Sequence, residues 1–129
     1  MGENFHPVLA RYLEEKGWPA GRGQRMIKGL RVLQDIARTT DRPITYGEFA
    51  EKVQPRLAPL ATAQILSDIG HFCNAVDWPN VTCFVVSAST GECSDGFTKV
   101  SKESPAFARD EAWLRYAVYR TGPLVDLAE

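Results

Sequence analysis

Three cysteines and two histidines are the residues of this sequence best suited to nucleophilic or metal chemistry. Cys83 lies in an apolar segment, which is typical of a buried small hydrophobic residue. Cys93 lies beside acidic residues, which raise the pKa of a thiol and disfavour its reactivity. His71 and Cys73 form one pair of possible zinc ligands, whereas zinc sites usually combine two such pairs, and His6 has no identifiable partner. The sequence therefore predicts no catalytic residue, no cofactor and no metal site.

A cluster of basic residues is the next chemically distinctive feature. Residues 17–43 contain six basic and two acidic side chains. Apolar residues at i, i+3, i+4 and i+7 predict a helix over 23–39, and Arg25, Lys28 and Arg31 lie off that stripe. With Arg22 just before the helix, they are candidate nucleic-acid contacts. The alternative is that they form an ordinary solvated helix face.

A second helix, predicted over residues 60–76, carries the polar side chains that would read bases. Its apolar stripe leaves Gln64, Ser67, Asp68 and His71 facing away from the core. Glutamine and serine can hydrogen-bond to base edges, so Gln64, Ser67 and His71 are candidate nucleic-acid-binding residues. Asp68 is expected to oppose binding, because phosphate contacts come from basic or neutral donors.

The order of the predicted elements indicates how these side chains are positioned. Thr45 and Glu48 form a capping box at the start of a short helix, and Ser104-Pro105 is a typical helix start. In the final helix, Phe107, Trp113, Leu114, Ala117 and Val118 are expected to face the core. The predicted elements are a helix 5–16, a helix 23–39, an extended piece 43–44, helices 46–53 and 60–76, strands 81–87 and 97–100, a helix 105–120 and a tail 124–129.

Two helices followed by a two-stranded hairpin are the order of a winged helix, so the expected fold class is α+β. The winged helix-turn-helix core would span about 43–100, with additional N- and C-terminal helices around it. The chain has 129 residues, the size of one ordinary domain, and no internal linker. Residues 1–129 are therefore predicted to form a single domain.

Composition restricts the classes of function. A net charge of −1 excludes a uniformly basic nucleic-acid binder. No apolar run approaches the roughly 20 residues of a membrane span, so no membrane association is expected. The odd number of cysteines and the polar N-terminus predict a cytoplasmic protein. The oligomeric state is not predictable from the sequence.

The segment Ile44-Thr45-Tyr46-Gly47-Glu48-Phe49-Ala50 resembles the start of the helix-turn-helix in alkylguanine–DNA alkyltransferases and alkyltransferase-like proteins. Trp78-Pro79, Phe84-Val85-Val86 and Thr90-Gly91 are similar to that family's proline, valine-rich strand and glycine turn. The resemblance covers roughly residues 43–97 and implies a shared DNA-binding scaffold. The family's Pro-Cys-His-Arg motif is replaced by Pro79-Asn80-Val81-Thr82, and no arginine lies in the segment 64–70. The resemblance therefore implies the scaffold without alkyl transfer or the family's nucleotide flipping.

Two functions follow from these observations. The leading interpretation is a small non-catalytic binding protein that contacts DNA or RNA through the basic helix and the face of 60–76. The alternative is a protein–protein interaction module, for example bacterial or phage-encoded, that regulates or inhibits a partner protein. Trp18, in a Gly-Trp-Pro turn, is the candidate anchor for such an interface, because tryptophan is frequent at binding hot spots.

Overall fold

A computed structural model describes residues 7–40, 42–93, 95–101 and 103–117 of the chain. The expectations for His6, for residues 5–6 and 118–120 of the terminal helices and for the tail 124–129 lie outside these ranges. The elements are helices α1 (Pro7–Lys16), α2 (Ala20–Thr39), α3 (Tyr46–Val53), α4 (Pro59–Val76), α5 (Asp95–Thr98) and α6 (Pro105–Arg115), strands β1 (Ile44–Thr45) and β2 (Val85–Val86), and a 3₁₀ turn at Val81–Phe84. Helices and a small sheet share one core, which confirms the α+β class. No helix among the described residues has the length and apolar character that a bilayer span requires.

The centre of the fold is the contact between α2 and α4. A Cβ atom at Gly29 would lie 2.8 Å from Cγ2 of Ile65 and 3.0 Å from Cδ1 of Ile69, so only glycine permits this approach. Met26, Leu30 and the other members of the predicted α2 stripe are buried. The periodicity therefore predicted both helices and the inner face of α2 correctly, and on α4 it assigned Asp68 to the wrong side.

The predicted capping box at the start of α3 is present. The backbone N–H of Glu48 donates to Oγ1 of Thr45 (3.2 Å), and the backbone N–H of Thr45 donates to Oε1 of Glu48 (2.9 Å). The hydrogen bond that the backbone N–H of Thr45 donates to the carboxylate is the main cause that lowers the pKa of Glu48. The cap fixes the direction in which α3 leaves β1.

The predicted strand 81–87 is only partly correct, because its first half is a 3₁₀ turn. Asn80 accepts hydrogen bonds from the backbone N–H and the hydroxyl of Thr82, and such local side-chain bonds compete with a strand conformation. Only Val85 and Val86 are extended. They pair in parallel with Ile44 and Thr45, which makes a two-stranded sheet.

The return strand predicted at 97–100 is wrong, since Asp95–Thr98 is a short helix. Phe97 is buried in the core, and the N–H groups of Val100 and Ser101 both donate to its carbonyl. The antiparallel bridge that Val86 does make is to Cys93, directly after the Ser87–Glu92 turn. The predicted hairpin between 81–87 and 97–100 therefore does not form.

Ser104 caps helix α6 as predicted, but the helix ends at Arg115 and its expected inner face is wrong. Ala108, Ala112 and Tyr116 are buried, whereas Phe107 and Leu114 are exposed. The two alanines lie one turn apart and have small side chains, so the helix packs closely against its neighbours. Tyr116 extends this face, and its oxygen accepts a buried hydrogen bond from Nε2 of Gln34 (2.7 Å).

Candidate nucleic-acid interface

The outer face of α4 carries the predicted reading residues. Gln64 and His71 are exposed and Ser67 is half-buried. Spacings of three and four residues place them on one side of the helix. Because Ile65 and Ile69 pack against α2, this side faces solvent. The structure therefore brings these three residues together as the sequence predicted.

Asp68 is the one formally charged residue in the α4 sequence, and it is buried rather than exposed. Arg22 donates to both of its carboxylate oxygens, from Nε at 3.0 Å and from Nη2 at 2.9 Å. The expectation that Asp68 lies on the exposed face of α4 was wrong, because Arg22 covers this carboxylate and forms an ion pair with it. The exposed face of α4 is left without a carboxylate.

The sequence suggested that Arg22 contacts phosphate, whereas in the structure its guanidinium is paired with Asp68. Its hydrogen bonds with Asp68 raise the pKa of Arg22 above its usual value. Its guanidinium also lies 4.2 Å from the ring centroid of Trp18, which in turn makes an edge contact with Tyr12. Arg22 therefore joins the loop before α2 to α4. Trp18 is half-buried in this stack, not fully exposed as the sequence suggested.

The other three basic candidates lie along the outer side of α2. Arg25 and Lys28 are exposed and Arg31 is half-buried. Lys28 and Arg31 line a shallow depression together with Gln24 and Ile27. These three residues therefore lie on the outer side of α2, whereas Arg22 on the same helix is hydrogen-bonded to α4.

The N-terminus of α4 is a feature that the sequence analysis missed. No side chain caps this helix end, and Pro59 occupies its first turn. Leu60 there is 86% exposed. Arg56, in the preceding turn, is exposed and has a φ of 64°, in the left-handed region that is uncommon for a non-glycine residue. The sequence did contain a signal for an anion-attracting site here, which is a basic residue shortly before a helix that begins with proline. Uncapped helix N-termini attract anions, and a nearby cation adds to that attraction.

The thiols occupy an environment that disfavours nucleophilic chemistry. Burial raises the pKa of Cys73 to about 12 and also raises the pKa of Cys83. Cys93 is half-buried, and burial raises the pKa of its thiol although Arg109 partly opposes that effect. Within the ranges that the structure describes, no group of three histidine, cysteine or acidic residues is placed to hold a metal ion.

Comparison with family models, with curated proteins and with solved structures found no match for this chain.

Proposed function

We propose that this protein is a non-catalytic, cytoplasmic DNA-binding protein in which the outer face of α4 lies against the nucleic acid. The observation that carries the proposal is the absence of exposed charge on that face, where Gln64, Ser67 and His71 lie together. A buried and neutralised Asp68 removes the main electrostatic objection to contact with phosphate. Uncharged donors and acceptors on one helix face are suited to the edges of base pairs.

Under this proposal, α3 and α4 act as a helix-turn-helix in a winged-helix-like scaffold. Residues 54–58 connect the two helices. The inner face of α3 packs against α2, where the ring of Phe49 lies beside Gly29. The Ser87–Glu92 turn takes the position in the chain order that a wing would have. The resemblance of residues 43–97 to the alkyltransferase scaffold supports the same interpretation, without the chemistry of that family.

The basic residues have separate roles in the proposed complex. Arg25, Lys28 and Arg31 contact phosphates, whereas Arg22 positions α4 and keeps Asp68 neutral. Arg56 adds a cation at the uncapped N-terminus of α4, where the helix dipole also favours phosphate. Three or four phosphate contacts correspond to a slope of about −3 in log K against log salt for double-stranded DNA.

The test is binding to labelled double-stranded DNA, measured by fluorescence anisotropy across a salt series. We expect affinity to fall with a slope of about −3, and the variant Arg25→Glu/Lys28→Glu to flatten that slope by about two units or abolish binding. Arg11 is an exposed arginine on α1, and Arg11→Glu is the control for a single charge reversal on α2. This control should change binding little.

A second set of variants separates base reading from phosphate contact. Gln64→Ala and Ser67→Ala should leave the salt slope unchanged while reducing discrimination among a library of DNA sequences. Asn74→Ala, an exposed polar residue near the other end of α4, is the control for loss of an amide. The absence of binding at low salt, or binding that the α2 and α4 variants leave unchanged, would refute the proposal. Tighter binding to RNA than to DNA would reassign the ligand.

A further inference from the structure

Helix α6 has an apolar stripe on the side opposite its buried face. Phe107 is 54% exposed and Leu114 is 73% exposed. They are seven residues apart, so they lie on one face, separated by about 10 Å along the helix. The stripe faces solvent because Ala108, Ala112 and Tyr116 occupy the inner face. A contiguous exposed apolar patch is typical of an interaction surface, whereas an isolated exposed apolar residue is ordinary.

Acidic residues border this stripe on both sides. Asp110 lies three residues after Phe107 and Glu111 four residues after it, and Leu114 follows within one further turn. Glu103, in the segment before α6, is exposed and lines a depression together with Glu111 and Asp77. Two adjacent carboxyl groups repel each other when both are ionised, and a cation between them would relieve that repulsion.

The arginines of α6 are directed elsewhere. Nε of Arg109 donates to the carbonyl oxygen of Cys83 at 3.0 Å, and the guanidinium of Arg115 lies 5.2 Å from the ring centroid of Trp78. The outer face of α6 therefore presents apolar side chains with a carboxylate border.

We propose that this face of α6 docks an amphipathic helix of a partner protein whose apolar stripe is bordered by lysine or arginine. Leucine-type side chains of the partner would pack on Phe107 and Leu114, and its basic residues would contact Glu103, Asp110 and Glu111. Helices bind to such surfaces through anchors at i, i+3, i+4 and i+7. Charge complementarity would select the partner and its orientation.

The same charges argue against other occupants. A second copy of this face would bring carboxylates against carboxylates, and an anionic membrane would be repelled. Residues 118–129 contain two acidic residues and one basic residue, so their sequence does not complement an acidic border. A basic partner is the occupant that the observed charges favour.

The test uses two synthetic helical peptides of about 18 residues. One has leucines at i, i+3 and i+7 flanked by lysines, and the other has glutamate at every lysine position. Binding to the whole protein is followed by anisotropy, and amide chemical shifts locate the contact. We expect the lysine peptide to bind at least about tenfold more tightly than the glutamate peptide and to shift resonances of α6.

Variants of the protein complete the test. Leu114→Asp and Phe107→Ser should each weaken binding of the lysine peptide by about tenfold. Leu60→Asp, at an even more exposed leucine on α4, is the matched control and should not weaken it. Unchanged circular dichroism and melting temperature would show that the α6 variants are folded, and their DNA affinity should equal that of the wild type.

Several results would overturn the proposal. One is equal binding of the two peptides, and another is a lysine peptide that fails to bind at millimolar protein. Binding that survives Leu114→Asp with the shifts outside α6 would also exclude this face. A dimer that dissociates on Leu114→Asp would assign the stripe to self-association. None of these results depends on whether DNA binds, because the peptide assay contains no nucleic acid.

Discussion

The ion pair between Arg22 and Asp68 provides the sharpest prediction, because its two partners differ in exposure. The side chain of Asp68 is 7% exposed and that of Arg22 is 35% exposed. Removing the arginine leaves a nearly buried carboxylate without its ion-pair partner, whereas removing the acid leaves an arginine that is already one-third exposed. Breaking a buried pair at one end typically costs 3–5 kcal/mol, and about 3 kcal/mol is appropriate for this partly exposed pair. We expect Arg22→Met to cost about 3 kcal/mol and Asp68→Asn only about 1 kcal/mol.

Equilibrium unfolding in urea measures both changes, and the double variant completes the cycle. The double variant Arg22→Met/Asp68→Asn removes the buried carboxylate charge together with its arginine partner. It should therefore be more stable than Arg22→Met alone. Asp35→Asn is the control, because Asp35 is the half-exposed partner of Arg38 on the surface of α2 and should cost less than about 0.5 kcal/mol.

DNA binding should respond with a different pattern. Arg22→Met leaves an unneutralised carboxylate beside the reading face and should weaken binding, whereas Asp68→Asn frees a cation there and should maintain or strengthen it. Equal costs in stability for the two single variants would show that Asp68 is well solvated. Weaker binding by Asp68→Asn would refute the idea that this carboxylate is a liability that Arg22 suppresses.

Three further changes test the packing and electrostatics around this site. Gly29→Ala should lower the free energy of unfolding by about 1–3 kcal/mol in urea titrations, because its Cβ would meet α4 at 2.8 Å, whereas Gly23→Ala has room and should be neutral or stabilising. Tyr116→Phe removes the buried partner of a glutamine amide and should cost about 1–3 kcal/mol, and a cost below about 0.5 kcal/mol would mean that water replaces the hydroxyl. Burial and the hydrogen bond from Glu103 raise the pKa of Glu111, so the folded state holds this proton more tightly than the unfolded chain and loses stability as pH rises through the carboxyl range. Glu111→Gln should therefore be slightly more stable than the wild type at pH 7, with the difference disappearing near about pH 3, and a difference independent of pH would contradict this cause.

The sequence predicted correctly those features that depend on interactions between residues close together in the chain. The capping box at Thr45 and Glu48, the serine cap of α6 and the inner faces of α2 and α4 depend on residues within a few positions of each other. These features follow from periodicity and capping chemistry, so the sequence was sufficient for them.

The errors at Asp68 and on α6 came from contacts between distant parts of the chain, whereas the error at residues 81–84 came from the local bond between Asn80 and Thr82. Asp68 lies 46 residues from Arg22, and Gln34 lies 82 residues from Tyr116. No local rule indicates that these pairs meet, so Asp68 was assigned to the surface. On α6, the larger apolar residues were expected inside, whereas close packing selected Ala108 and Ala112 for the inner face.

These pairings also explain why the net charge of −1 is a poor guide to the partner. On α2, Arg22 is neutralised by Asp68 and Arg38 by Asp35, which leaves Arg25 and Lys28 as exposed cations. On α6 the arginines turn away from the outer face, which leaves its carboxylates at the surface. A chain that is nearly neutral overall therefore presents exposed cations on α2 and carboxylates on one side of α6. If both proposals hold, the two surfaces could bind a polyanion and a basic protein segment without competing for the same residues.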